Sequence, residues 1–238
     1  HENYKHDFAT SKIGLDLCKD SGDGHTDNAY SPLTVGALTY GVTLENLVNG
    51  YVPYGNGGTQ YKAHLVSKVV QGAGDLIYEN NGDPEEAVSS ETAYVMNKLL
   101  QDVVNNGTGQ KAKLENKHVA GKTGTTEDYN DLWFVGYTPY YTCAVWSGYD
   151  NNEKIPEDAR NFHKNLWKKV MNRIHEGLDD KDFDMPSSVE KASVCSETGL
   201  LPRAGCPTIT EYFDISSLPT EYCDEHFYGS SYDYDEDY

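Results

Sequence analysis

The sequence predicts an α/β fold: an antiparallel sheet flanked by helices on both faces. Three observations predict it. Residues 118–126, 131–137 and 141–149 read as consecutive strands, and the connections between them are too short for a crossover, so neighbours must run antiparallel. The middle strand carries Trp133, Val135 and Tyr137 on one face and Leu132 and Phe134 on the other, which calls for cover on both sides. Two long runs with apolar residues at three- and four-residue steps flank the strands. Ala93, Met96, Leu99, Leu100, Val103 and Val104 mark the first, and Ala159, Phe162, His163, Leu166, Trp167, Val170, Met171 and Ile174 the second.

Composition bounds the function. The chain has 238 residues, 37% of them apolar, with 19 Tyr and 3 Trp, enough to bury a core. Its net charge of −19 argues against nucleic acid and anionic membrane surfaces as partners, because both demand basic patches. The acidity reads as solubility. No apolar run approaches the ~18 residues that a bilayer span needs, and no signal peptide is visible. The first residue is His1 rather than Met, so a piece of a longer chain is expected.

In order along the chain, residues 8–18 suggest a short helix ending near Gly14, and 19–28 a Gly/Asp-rich loop. Thr43 is placed to cap a helix marked by Leu44, Leu47, Val48 and Tyr51, which Asn56-Gly57-Gly58 ends. Residues 63–70 and 76–78, around the turn cluster Gly72-Ala73-Gly74-Asp75, read as a hairpin. Residues 80–86 read as polar loop. Ser89 and Ser90 can cap the first long helix and Asn105-Asn106-Gly107 stops it. A polar connector, 108–117, then delivers the chain to the sheet. Gly136 and Gly148 mark close approaches to strand backbone. Pro156 suits the first turn of the last helix and Gly177 ends it. His163 on its apolar side reads as a core or boundary histidine rather than a ligand. Beyond Asp179 periodicity is lost, and 228–238 reads as an acidic, Tyr-rich disordered tail.

The chemistry concentrates in Gly121-Lys122-Thr123-Gly124-Thr125-Thr126, followed by Asp131-Leu132-Trp133-Phe134-Val135-Gly136-Tyr137. Lys122 brings a cation that can hold a carboxylate or tune a neighbouring hydroxyl. Gly124 lacks a side chain, so a peptide can lie against the strand as an added strand. Thr125 offers a hydroxyl to a carboxylate and an N–H to a developing oxyanion. Thr123 reads as an orienting residue. Lys-Thr-Gly alone is a weak signal. Together with 133–139 and 144–150 it closely resembles the penicillin-binding transpeptidases, in particular the bifunctional class that also polymerises glycan, whose motif set also includes Ser-x-x-Lys and Ser-Asp-Asn. The resemblance covers about residues 8–177. It implies that Lys122 and Thr125 are catalytic, that Thr123, Gly124, Thr125 and Thr126 bind substrate, and that Trp133 is structural. It implies no cofactor and no metal in the reaction.

The resemblance also implies an incomplete domain. No Ser-x-Asn occurs here, and the one Ser-x-x-Lys, Ser188-Val189-Glu190-Lys191, follows Lys-Thr-Gly in the wrong order and reads as chance. Residues 1–178 are therefore expected to be the C-terminal portion of a transpeptidase domain, 179–227 a cysteine-containing appendage, and 228–238 the tail. The parent is expected to cross-link stem peptides ending in D-Ala-D-Ala by a serine acyl-enzyme and to bind β-lactams. Its implied partners are the lipid-linked precursor, the other half of the domain and a glycosyltransferase domain. Its implied place is the extracytoplasmic face of a membrane, anchored through an N-terminal segment outside this sequence. The alternatives are a non-catalytic peptidoglycan-binding or scaffold segment and, less well matched, a serine β-lactamase.

The five cysteines are read separately. Cys143 lies in an apolar run and is expected to be a buried free thiol. Cys195, Cys206 and Cys223, with His226, are four possible zinc ligands. Their irregular spacing favours one disulfide, its pairing undetermined, or free thiols.

Overall fold

The central sheet forms where the alternating apolar pattern requires it. In the computed structural model, which describes residues 2–28 and 30–226, β5 (Ala120–Thr125), β6 (Asp131–Tyr137) and β7 (Thr142–Gly148) form an antiparallel sheet in the order β5-β6-β7. Register pairs Lys122 with Val135 and Gly124 with Trp133, and Trp133 with Trp146. Cross-strand partners share a face, so Phe134 and Tyr137, three apart, point to opposite faces. Each face has its own helical cover.

Before the sheet, α1 (Glu2–Asp7) runs into a π-turn, Phe8–Lys12. The helical stretch thus lies earlier than expected, and residues 15–18 are not helical. The cause is local: Asp27 accepts hydrogen bonds from the Cys18 and Thr39 N–H groups, which draws 15–18 into loop pairing. A short α2 (Tyr30–Val35) was not foreseen. α3 (Leu44–Gly55) begins where Thr43 accepts from the Asn46 N–H at 3.1 Å. α4 (Ser90–Asn105) begins where Ser89 accepts from the Thr92 N–H. Between them, β1 (Thr59–Gln60) pairs with β4 (Glu85–Glu86), and β2 (Lys68–Val70) with β3 (Leu76–Glu79). The hairpin is as expected, though 63–67 lie outside it, and the expected loop 80–86 ends in a strand.

α3 and α4 cover the Tyr137 face. The Tyr137 hydroxyl donates to Asn97 Oδ1 at 2.7 Å, and Asn97 Nδ2 donates to the Tyr54 carbonyl at 2.8 Å. Burial pushes the Tyr137 phenol far up and that of Tyr51 to about 12; both stay neutral. α5 (Phe162–Ile174) covers the Phe134 face, with Trp167 edge-on to Phe134 at 5.0 Å. Val104, Ala112, Leu114, Val119, Phe134, Trp167 and Met171 form one buried cluster.

α5 starts six residues after Pro156, which instead opens a 3₁₀ turn, Glu157–Ala159. Its buried residues are His163, Trp167 and Met171. Phe162, Leu166, Val170 and Ile174 are exposed, so half of the expected apolar face meets solvent. Cys143 is half-buried rather than buried, and burial raises its thiol pKa.

The chain divides into two compact units after Asp184. Residues 179–184 are tied to the first unit: Asp182 meets Lys98 and Gln101, and Phe183 packs on Tyr137. The second unit is a hairpin of β8 (Val189–Cys195) and β9 (Thr208–Asp214), where no regular element was expected. The expected disordered tail, 228–238, lies outside the described residues. No helix of the described residues is long and apolar enough to cross a membrane.

Candidate active site

Lys122, Thr123, Gly124 and Thr125 all lie on β5, the outer strand of the sheet. Antiparallel ladders alternate between residues bonded to the neighbour and residues whose backbone points away. The Thr126 N–H donates to the Asp131 carbonyl at 3.2 Å. In this register Gly124 and Lys122 face β6 as well. The N–H and C=O groups of Thr125 and Thr123 therefore point to the open edge. A fixed N–H at an open strand edge can take an oxyanion or the backbone of a docked peptide.

The side chains divide. Lys122 is exposed, and its Nζ donates to the Thr123 carbonyl at 2.9 Å, which brings the ammonium to the same edge. The Thr123 hydroxyl meets the Thr108 hydroxyl at 2.7 Å, so it ties β5 to the connector after α4. Thr125 is exposed. Thr126 Oγ1 accepts from the Asn130 and Asp131 N–H groups, which fastens the β5–β6 turn. Gly124 lies against the β6 tryptophan: a Cβ there would be 3.2 Å from Trp133 Cβ. Trp133 packs on Trp146 at 6.2 Å between centroids, and Trp146 Nε1 donates to Asp131 Oδ1 at 2.8 Å. The turn end of the motif is thus rigid, and the Lys122–Thr125 edge is open.

An open cleft of ≈980 Å³ lies beside this turn, between residues 36–44 and 126–131, with Glu127, Asp128 and Asp131 in its wall. Its wall is acidic, and the Lys122–Thr125 edge lies outside it.

Ser188 immediately precedes β8, and Lys191 lies within it. Residues three apart on a strand face opposite ways. This pair therefore lacks the shared helical turn that a serine–lysine relay uses. Sequence reasoning missed Thr108, whose polar connector gave no sign that it would meet Thr123.

In the second unit, Cys195, Cys206, Cys223 and His226 converge, with their ligand atoms within 4.8 Å of one another. This is the one cluster of metal-ligating side chains among the described residues. The cysteines are free thiols. A hydrogen bond with Thr198, and then one with His226, lowers the Cys223 thiol to about 6.

The family model described as the penicillin binding protein transpeptidase domain matches residues 3–175. That of the penicillin-binding protein 1A C-terminal domain matches 185–228. Penicillin-binding protein 1A of Clostridium botulinum (strain Langeland) is 34% identical over 212 residues, covering 86% of this chain and 26% of its own length. The chain thus spans about a quarter of that relative. Among solved structures, penicillin-binding protein 1A from Haemophilus influenzae superposes with a TM-score of 0.70 at 18% identity, over 90% of this chain and 36% of that one. PonA1 from Mycobacterium tuberculosis in complex with penicillin V gives 0.62 at 20% identity, over 77% and 51%. These two likenesses establish the fold.

Proposed function

This chain belongs to the penicillin-binding protein transpeptidase family, and we propose that it forms the Lys-Thr-Gly side of a serine D-Ala-D-Ala transpeptidase that cross-links peptidoglycan stem peptides. The observation that carries this is the open β5 edge. Lys122 Nζ and the outward N–H of Thr125 share it. The nucleophilic serine belongs to the remaining part of the domain. It attacks the D-Ala-D-Ala carbonyl, D-Ala leaves, and the amine of a second stem peptide takes the acyl group. Lys122 supports the proton relay by its charge. The Thr125 N–H stabilises the oxyanion, and its hydroxyl holds the terminal carboxylate. Gly124 lets the stem peptide lie along the strand, Thr123 fixes the strand through Thr108, and Thr126 holds the turn. β-Lactams, as carboxylate-bearing acyl donors, use the same edge.

On this reading, residues 1–178 complete a domain whose other strands and helices come from the rest of the protein. Residues 179–184 pack with that portion, and the appendage begins at Met185. The lipid-linked precursor and a glycosyltransferase domain are further partners, and the site faces the outside of the membrane to which the whole protein is anchored. The chain alone forms no acyl-enzyme.

Labelling with a fluorescent penicillin tests this, on this chain and on the complete protein. The complete protein is expected to label and this chain not to. Thr125→Ala in the complete protein keeps the backbone N–H and removes only the hydroxyl that holds the carboxylate, so it should slow acylation by about 10–10²-fold, the worth of one hydrogen bond to a charged group. An adduct on this chain alone would refute the shared-site reading. No labelling of either would favour a wall-binding scaffold.

A further inference from the structure

We propose that the second unit is closed by a structural zinc ion bound to the sulfurs of Cys195, Cys206 and Cys223 and to Nδ1 of His226. His226 Nδ1 lies 3.5 Å from Cys195 Sγ and 3.2 Å from Cys223 Sγ. With usual zinc–ligand lengths a tetrahedral site has sulfur–nitrogen edges of about 3.5 Å and sulfur–sulfur edges of about 3.8 Å. The four atoms, all within 4.8 Å of one another, already approach that polyhedron. Three thiolates and an imidazole form the donor set of a closed site, and thiolate donors select zinc over magnesium or calcium.

The surroundings fit the same ion. Nε2 of His226 lies 3.3 Å from Glu197 Oε2. A carboxylate there fixes the proton on Nε2 and leaves the Nδ1 lone pair for a metal. The Arg203 N–H donates to Cys206 Sγ at 3.2 Å, and Arg203 Nε donates to the Cys223 carbonyl at 2.9 Å. Binding needs all three sulfurs as thiolates and leaves a site of net charge −1, and the Arg203 N–H on Cys206 Sγ helps to offset the sulfur charge.

The unit also needs such a tie. It runs from Met185 to Tyr238, a size at which a hydrophobic core alone rarely supplies more than a few kcal/mol. Among its described residues the buried apolar ones are Val189, Val194, Cys195 and Cys223, two of which belong to the cluster. One disulfide would join two sulfurs and leave the third thiol and the imidazole without a role. Zinc uses all four. Cys195 ends β8, Cys206 precedes β9, and Cys223 follows the bridge between Leu201 and Tyr222. The ion therefore clamps both ends of the hairpin connection to the C-terminal stretch. The irregular spacing arises because hairpin register, rather than a finger motif, brings the ligands together.

The test uses the full chain purified under reducing conditions without chelator. Elemental mass spectrometry should find one equivalent of zinc. Cobalt replacement should give the sulfur-to-cobalt charge-transfer band and the visible bands of a tetrahedral site. Cys206→Ser should lose the metal, and Cys143→Ser, outside the cluster, should keep it. Glu197→Gln retains every ligand, and its zinc dissociation constant should rise about 10–100-fold. Unchanged affinity in Glu197→Gln would remove the carboxylate from the site. A chain without zinc whose cluster thiols all alkylate, or one with a cysteine pair of the cluster oxidised, would overturn the proposal.

Discussion

Asp27 and His163 are both buried, and acid acts on them in separate pH windows. Asp27 is 2% exposed. Burial opposes its charge, but hydrogen bonds from the Thr39 and Cys18 N–H groups outweigh that and hold its pKa below the usual 3.8. The folded state therefore binds its proton less readily than the unfolded chain, and the stabilisation is lost as pH falls below about 4. Asp27→Ala should cost about 2 kcal/mol near neutrality, since it leaves two N–H groups unsatisfied, and urea unfolding measures this. His163 acts at higher pH. Burial, and then Lys164, pulls its pKa from 6.5 to about 4, and its Nδ1 makes no hydrogen bond. An unfolded histidine takes a proton near 6.5 and the folded one does not. Stability should thus fall as pH drops from about 6.5 to 4, and His163→Leu should flatten that part of the profile. A profile with the same slope in the variant would show that another group carries it.

The elements depend on glycines at two contacts. Gly58 has φ +106, and a Cβ there would strike the Val88 carbonyl oxygen. Its own carbonyl accepts from the Ala87 N–H. Gly58→Ala should lose on the order of 2–3 kcal/mol. Gly136 lets Trp167 cross β6: a Cβ would meet Trp167 Cζ2 at 2.7 Å. Gly136→Ala should lower the melting temperature by several degrees, and an unchanged value would mean that α5 can shift away. Gly136 was legible in the sequence, because a glycine inside an apolar strand signals a close approach. The three strands, α3 and α4 were legible for the same kind of reason: alternation and caps are local. α2, the β1–β4 pair and the β8–β9 hairpin were not. β1 and β4 are too short to show a period, and β8, Val189-Glu190-Lys191-Ala192-Ser193-Val194-Cys195, breaks alternation. The Lys-Thr-Gly strand could be located from sequence. The outward direction of the Thr125 N–H could not, because it follows from the pairing register.

At the scale of the molecule, α5 in the first unit carries an apolar stripe that the described residues leave uncovered. Phe162, Leu166, Val170 and Ile174 recur every four residues along α5 and are 55%, 38%, 40% and 41% exposed. The outer edge of β7 has no strand partner among the described residues. An amphipathic helix normally buries one stripe; α5 has a second beside the first, as a helix between two layers does. The stripe and the β7 edge are therefore predicted to receive the rest of the transpeptidase domain. Leu166→Gln with Val170→Lys should behave oppositely in two settings. In this chain alone it should reduce self-association in sedimentation, because exposed apolar surface and an open edge drive aggregation, while leaving the melting temperature nearly unchanged. In the complete protein the same pair should lower the melting temperature, by roughly 2–4 °C for each kcal/mol of packing lost. If the complete protein were unaffected, the stripe would face solvent there too, and the remaining part of the domain would have to join the sheet edge without touching α5.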